Sequence, residues 1–251
     1  MNGDKELIRK RVSELARRAE KSGRAVYSPF LALNEQDILS RMGAELIGIG
    51  HSVFGGADGC ERVIAAFYEG EAPAHADYPI KCLIAEPVNR KFAEKLTHRD
   101  ILGAVMALGI ERSAVGDIVV REDGAYLFVL EKLADYIKDN LTEAKHTRLK
   151  TAEADSLPEG AFYKLSPAEL TVASERLDCI VAAFCKLSRG DASELISKGL
   201  VSINGEQPET GSKPVSEDSI VSVRGYGRFI LREQARRTRK DRLVVRIKKY
   251  E

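Results

Sequence analysis

Apolar residues recur along the chain in two rhythms, and the changes of rhythm mark its parts. Ile8, Val12, Leu15 and Ala19 fall on one stripe of a 3.6-residue period, which predicts a helix over about residues 4–22. Pro29 makes 27–33 read as a connection. Asn34 reads as the cap of a short helix that runs through Met42 and stops at Gly43. Residues 45–53 and 60–68 are strand-like runs on either side of a glycine-rich turn at 54–59. Together they predict a small α+β unit over residues 1–75.

The second segment, residues 76–152, has a clearer order. Residues 80–85 read as a strand. Residues 97–108 read as a helix capped by Thr97, with Asp100 three positions on and Gly109 as its stop. Strands at 117–121 and 125–130 are joined at Asp123-Gly124, a hairpin signal. Leu133, Ile137 and Leu141 share one helical face, and 145–150 supplies a last strand. The order β-α-β-β-α-β is that of a ferredoxin-like plait, a fold that hosts many functions. Pro158, Gly160 and Pro167 make 151–172 read as a partly docked linker.

The third segment, residues 173–251, begins with two short helices. Ser174 reads as the cap of the first, whose stripe is Leu177, Ile180, Val181 and Phe184. Ser188 caps the second, with Asp191 at the box position, an apolar face of Ala192, Leu195 and Ile196, and Gly199 at its end. Strands at 201–203 and 220–224 follow, the first ending in the tight-turn pair Asn204-Gly205, and 243–247 can add another. The fold class expected is therefore α+β in three parts.

Composition changes this picture in one respect. Of 251 residues, 44% are hydrophobic and 31% charged, enough apolar material for packed cores. No apolar run approaches the ~18–20 residues of a membrane span, and the charged N-terminus does not read as a signal peptide. Cys60, Cys82, Cys179 and Cys185 form no CxxC. His51, His75, His98 and His146 have no metal-ligand spacing, so no cofactor or metal is expected. The net charge of +1 argues against a nucleic-acid partner until it is divided. Residues 1–24 carry +4, residues 224–251 carry +8, and residues 25–223 carry −11. Basic ends on an acidic middle suit a polyanion.

The third segment has a recognisable arrangement. Arg176-Leu177-Asp178, Leu187-Ser188-Arg189, Leu195-Ile196, Lys198-Gly199 and Ile203-Asn204-Gly205 stand at the spacings of the S-four RNA-binding domain, also called the αL motif, and the segment resembles it. Leu96-Thr97-His98-Arg99-Asp100 and Ser222–Phe229 extend the resemblance to the YlmH family, with Glu111 and Asp191 departing from its pattern. The resemblance implies a bacterial, cytoplasmic, non-enzymatic protein that binds ribosomal RNA and tRNA on the large ribosomal subunit, with a role in rescuing stalled ribosomes in ribosome-associated quality control. The family name is also tied to a cell-division gene neighbourhood. No membrane or small-molecule partner is implied.

The candidate RNA-contacting residues are Arg176, Lys186, Ser188, Arg189, Ser193, Lys198, Asn204, Arg224, Arg228, Arg237, Arg239, Lys240 and Arg242. Arg189 opens a helix, where exposed N–H groups and the helix dipole already favour a phosphate and a guanidinium adds a planar fork. Arg176 either joins it or only pairs with Asp178. Tyr226 and Phe229 fit a stacking platform or the core, as do Tyr126 and Phe128 of the plait. His98 beside Asp100 admits acid–base chemistry, but Thr97 and Asp100 also form a helix cap. The competing reading is an RNA-modifying enzyme, a pseudouridine synthase or methyltransferase, that uses the third segment for targeting. Only 73 residues follow Asp178, too few for a downstream catalytic sheet, and Gly48-Ile49-Gly50 lacks a third glycine in register.

Overall fold

The structure is a computed structural model that describes residues 2–90, 93–154, 165–238 and 241–250. The chain divides into two compact units, residues 1–162 and 163–251. The boundary expected at residue 75 lies inside the first.

The first unit opens with helix α1 (Asn2–Ser22), strand β1 (Val26–Leu31), helix α2 (Leu33–Arg41) and strands β2 (Gly50–Phe54) and β3 (Val63–Tyr68). Its sheet has the order β1-β3-β2. Of the predicted stripe of α1, Val12, Leu15 and Ala19 are buried and Ile8 is half-buried; with Ala16 they pack with Leu39, Met42, Ala65 and Phe67. Residues 26–31 are a strand and not the connection that Pro29 suggested. β1 lies at the sheet edge, and its pairing with β3 shifts register between Tyr27 and Phe30, where a residue without an N–H is tolerated. Asn34 is not the cap of α2. Ala32 occupies that position, and the Glu35 carboxylate accepts its N–H at 2.7 Å.

The chain continues through β4 (Ile80–Pro87), α3 (His98–Ala107), β5 (Val115–Val120), β6 (Ala125–Leu130), α4 (Glu131–Asn140), β7 (Glu143–Ala144) and β8 (Thr147–Glu153). The sheet order β5-β6-β4-β8-β7 is that of a ferredoxin-like plait with a short hairpin added at one edge. Leu127 and Val129 of β6 face α3 and α4 in one core. Phe128, between them, faces the other way and packs with Phe30 and Ile64 of the first sheet and with Tyr78. The open face of the plait is thus covered. Gly116 on β5 lies so close that a Cβ there would come within 2.6 Å of the Phe30 ring.

A polar joint accompanies this contact. The buried Asp117 carboxylate accepts the N–H groups of Glu61 and Arg62. The Arg62 guanidinium donates to the carbonyls of Val115 and Phe30, both at 3.0 Å, and Arg112 donates to those of Val115 and Gly116. Burial outweighs the favourable contacts and raises the Asp117 carboxyl above its ordinary value, and burial lowers Arg112 to about 10.

The second unit contains β9 (Leu165–Val172), α5 (Leu177–Cys185), α6 (Arg189–Ser197), β10 (Val201–Ile203), β11 (Ile220–Val223), β12 (Gly227–Arg237) and β13 (Leu243–Tyr250). Its sheet runs β10-β11-β12-β13-β9. Two sequence expectations change here. The end of the expected linker is β9, paired with β13 from Leu165↔Tyr250 to Val172↔Leu243, because its alternating apolar residues complete the sheet. The basic C-terminal segment is a long β-hairpin, β12–β13, with two register shifts. Phe229, Leu231, Val245 and Ile247 form the face that packs on Leu177, Ile180 and Val181 of α5 and Ala192 and Ile196 of α6.

The covered plait face gives a stability prediction. Phe128→Ala removes a buried ring shared by two sheets, and the first unit should lose about 3–5 kcal/mol. The loss is read as a lower urea midpoint with the plait and the first sheet unfolding together.

Candidate nucleic-acid interface

The site grows from the start of α5. Arg176 is its N-cap residue, and Ser174, expected there, instead directs its hydroxyl to the Cys179 thiol at 3.4 Å. The segment after β10 crosses over this helix end. Leu177 donates its N–H to the Lys213 carbonyl and Asp178 to that of Gly211. Asp178 is buried by that crossing, and a Cβ on Gly211 would lie 3.1 Å from the Asp178 Cβ. Lys186, in the left-handed conformation, ends α5, and Ser188 then caps α6. The Ser188 hydroxyl accepts the Asp191 N–H at 3.1 Å and donates to the Asp191 carboxylate at 2.7 Å, so it is engaged in its own capping box.

This geometry brings two guanidiniums onto one carboxylate. Arg176 donates through Nε and Nη2 to Asp178 at 3.1 and 2.8 Å. Arg189, the first residue of α6, donates through Nε to the same carboxylate at 3.0 Å. The Asp178 side chain is 4% exposed, whereas those of Arg176 and Arg189 are 39% and 58% exposed. The Arg176 bond, ahead of that from Arg189, outweighs burial and holds the Asp178 carboxyl down at about 2. Two cations against one anion leave an outward-facing positive site at the N-terminus of α6. Lys186 and Ser193 are exposed nearby in sequence.

The remaining candidates fall into two further groups. At the other end of α6, about 14 Å along its axis, Lys198 pairs with Glu194 at 2.6 Å. Beyond it lies an open cleft of about 480 Å³ lined by Gly199, Gln207, Arg224, Gly225, Gly227 and Arg228. Asn204 holds the adjoining turn. Its φ is +50° and its side-chain carbonyl accepts the Ile220 N–H at 2.8 Å. Arg228 lies over the Tyr250 ring, 4.4 Å from its centre. Tyr226 is exposed, but Phe229 is buried against Phe184 and belongs to the core.

The third group is the end of the β12–β13 hairpin. Arg237 donates to the Asp241 carboxylate at 2.8 Å, and Arg242 is exposed. Arg239 and Lys240 lie outside the described residues. Several neighbouring cations are already matched: Arg236 with Glu169 at 3.1 Å, Arg246 with Glu233 at 2.6 Å and Arg232 with Asp218 at 2.6 Å.

Other sequence candidates take structural places. Asp100 accepts the Thr97 N–H and hydroxyl at 2.8 and 2.6 Å and pairs with Lys145 at 3.0 Å. It caps α3. Tyr126 and Phe128 are both buried, so neither presents a ring to a base. Burial pushes the Cys60 thiol up to about 12 and those of Cys82 and Cys185 up to about 11, which keeps them protonated and poorly nucleophilic. Among the described residues, no cluster of His, Cys, Asp or Glu is placed to hold a metal, and no helix is long and apolar enough to cross a membrane. The convergence of Arg189 on Asp178, eleven residues apart, was missed in the sequence. The signal for it was an acidic residue on an apolar helix face.

Asp178 makes the second unit acid-sensitive. Its folded value near 2 lies below the ordinary one near 4, so its contribution is complete above about pH 4 and is lost as pH falls through about 2. The loss should be about 2 kcal/mol. Urea unfolding between pH 5 and pH 2 should show it as a difference between the native chain and Asp178→Asn.

A family model described as "Putative RNA-binding domain in YlmH" matches residues 73–156, the plait. The ribosome-associated protein quality control protein P2 of Bacillus subtilis (strain 168) is 30% identical over 240 residues, covering 92% of this chain and 90% of that protein. The structure of the cell division protein ylmH from Streptococcus pneumoniae is 26% identical, with a TM-score of 0.51, over 60% of this chain and 91% of the other. Matched along nearly its whole length by a relative at this identity, the chain belongs to the YlmH family.

Proposed function

We propose that this protein is a cytoplasmic RNA-binding factor of ribosome-associated quality control. It binds ribosomal RNA and tRNA on the large ribosomal subunit and acts where a stalled nascent chain obstructs that subunit, without itself catalysing a reaction. Residues 173–251 serve as the S-four-type RNA-binding domain, residues 76–152 as a second RNA-binding region, and residues 1–75 cover the sheet of the latter. The observation that carries this reading is the Arg176–Asp178–Arg189 cluster, which directs two planar cations outward at a helix N-terminus. The names of the relative and of the matched family model support it. Lys186, Ser193 and Lys198 extend the surface beside α6, and Arg224, Arg228, Arg237, Arg239, Lys240 and Arg242 contribute phosphate contacts. Contacts made by the plait lie away from the face that Phe30 and Ile64 occupy.

Arg189→Glu should abolish co-sedimentation with large ribosomal subunits, and because it also takes a cation from Asp178, its folded state is checked by urea unfolding alongside. Unchanged co-sedimentation would remove Arg189 from the interface. If about five phosphates are neutralised, the logarithm of the affinity should fall with the logarithm of salt at a slope of roughly −4. Cross-linking in cells should enrich ribosomal RNA and tRNA, and enrichment of messenger RNA alone would refute the reading.

A further inference from the structure

A negative charge on a phosphate-binding surface ordinarily weakens binding. Asp178 stands directly beneath the two arginines proposed to meet RNA. Resting on that reading of the site, we propose that Asp178 is a positioning residue for RNA binding: its buried carboxylate fixes the guanidiniums of Arg176 and Arg189 in the orientation that receives a backbone phosphate.

Three observations carry this. First, the residue that carries the carboxylate is anchored independently of the arginines. The Asp178 N–H is bound to the Gly211 carbonyl, and the crossing segment closes over its Cβ. The main chain and Cβ from which the carboxylate projects are therefore held by contacts that involve neither arginine. Second, the bonds use only one edge of each cation. Arg176 engages Nε and Nη2, and Arg189 engages Nε alone, so Nη1 of Arg176 and both Nη groups of Arg189 remain outside this cluster. Third, the two arginines come from different helices. Arg176 caps α5 and Arg189 opens α6, and Asp178 is the atom group they share. An arginine side chain loses several rotatable bonds on binding a phosphate. Holding two of them in advance removes much of that ordering cost from the binding step. The carboxylate also differs from the surface acids of the unit, such as Glu194 and Asp241, which hold their cations at the exposed surface.

The proposal predicts an effect opposite in sign to simple charge. Asp178→Asn raises the net charge by one, which by electrostatics alone tightens RNA binding. Positioning predicts weaker binding, by about tenfold at fixed salt. The experiment uses the full chain and purified large ribosomal subunits at two salt concentrations. Four proteins are compared: the native chain, Asp178→Asn, the double variant Arg176→Ala with Arg189→Ala, and the triple variant. Asp178→Asn should bind about tenfold more weakly, and the triple variant should bind like the double. Equal or tighter binding by Asp178→Asn overturns the proposal. So does a loss that persists in the triple variant relative to the double, since Asp178 would then act through the fold. Double-variant binding equal to native removes the RNA reading of the site and the proposal with it. If Asp178→Asn does not fold, Arg189→Lys keeps the charge but lacks the Nε–H that Asp178 holds. Its affinity should fall in the same direction, and unchanged affinity overturns the proposal.

Discussion

A carboxylate out of reach of water must be matched, and in the second unit that requirement organises everything around α5 and α6. Asp178 is buried because Leu177 and Asp178 give their N–H groups to the crossing segment at Lys213 and Gly211. Once buried, its charge is costly unless cations meet it. Arg176 comes from the preceding residue pair and Arg189 from the start of the next helix. The same pairings therefore fix the turn between the helices and place positive charge at a helix end. The turn between the helices and the outward-facing pair of cations are here two results of one desolvated group.

The first unit solves a different problem. A ferredoxin-like plait has helices on one face of its sheet and leaves the other open. In this chain the opposite face carries Phe128, which is as apolar as the helix-facing side, so it has to be covered. The small N-terminal sheet supplies the cover through Phe30 and Ile64. Backbone polar groups at the junction are satisfied by Arg62, Arg112 and Asp117. The plait's most familiar surface for RNA is consequently unavailable. What the plait leaves exposed is its loops, its helices and its strand ends.

The periodic parts of the fold were legible in the residues. The stripe of α1, the Thr97–Asp100 cap, the Ser188–Asp191 cap and the order of strands in the plait all follow from local pattern, because each is decided within one turn or one strand. What the sequence concealed depends on distant partners. Pro29 signals a break, and only its edge position beside β3 makes it a strand residue. Residues 165–172 look like linker until β13 is there to pair with them. At the candidate site, Arg189 was legible from its place at a helix start. Its convergence with Arg176 was not, since burial of Asp178 is produced by residues 211–213. Phe229 and Tyr226 share an apolar-looking stretch, but Tyr226 lies in the turn before β12 and is exposed, whereas Phe229 lies within the strand and faces the core.

The placement of β9 bears on how this protein behaves beside other chains. A five-stranded sheet ends in two edges, and each is a template for another strand. One edge here is β10, three residues long. The other is β9, which contains Pro167, a residue with no N–H to offer, and Glu169, tied across the sheet to Arg236 and Arg246. Neither edge offers a long, regular row of backbone donors and acceptors. A molecule with so basic a hairpin can crowd along a polyanion with many copies close together. Its sheet edges give those copies little means of zipping into one another.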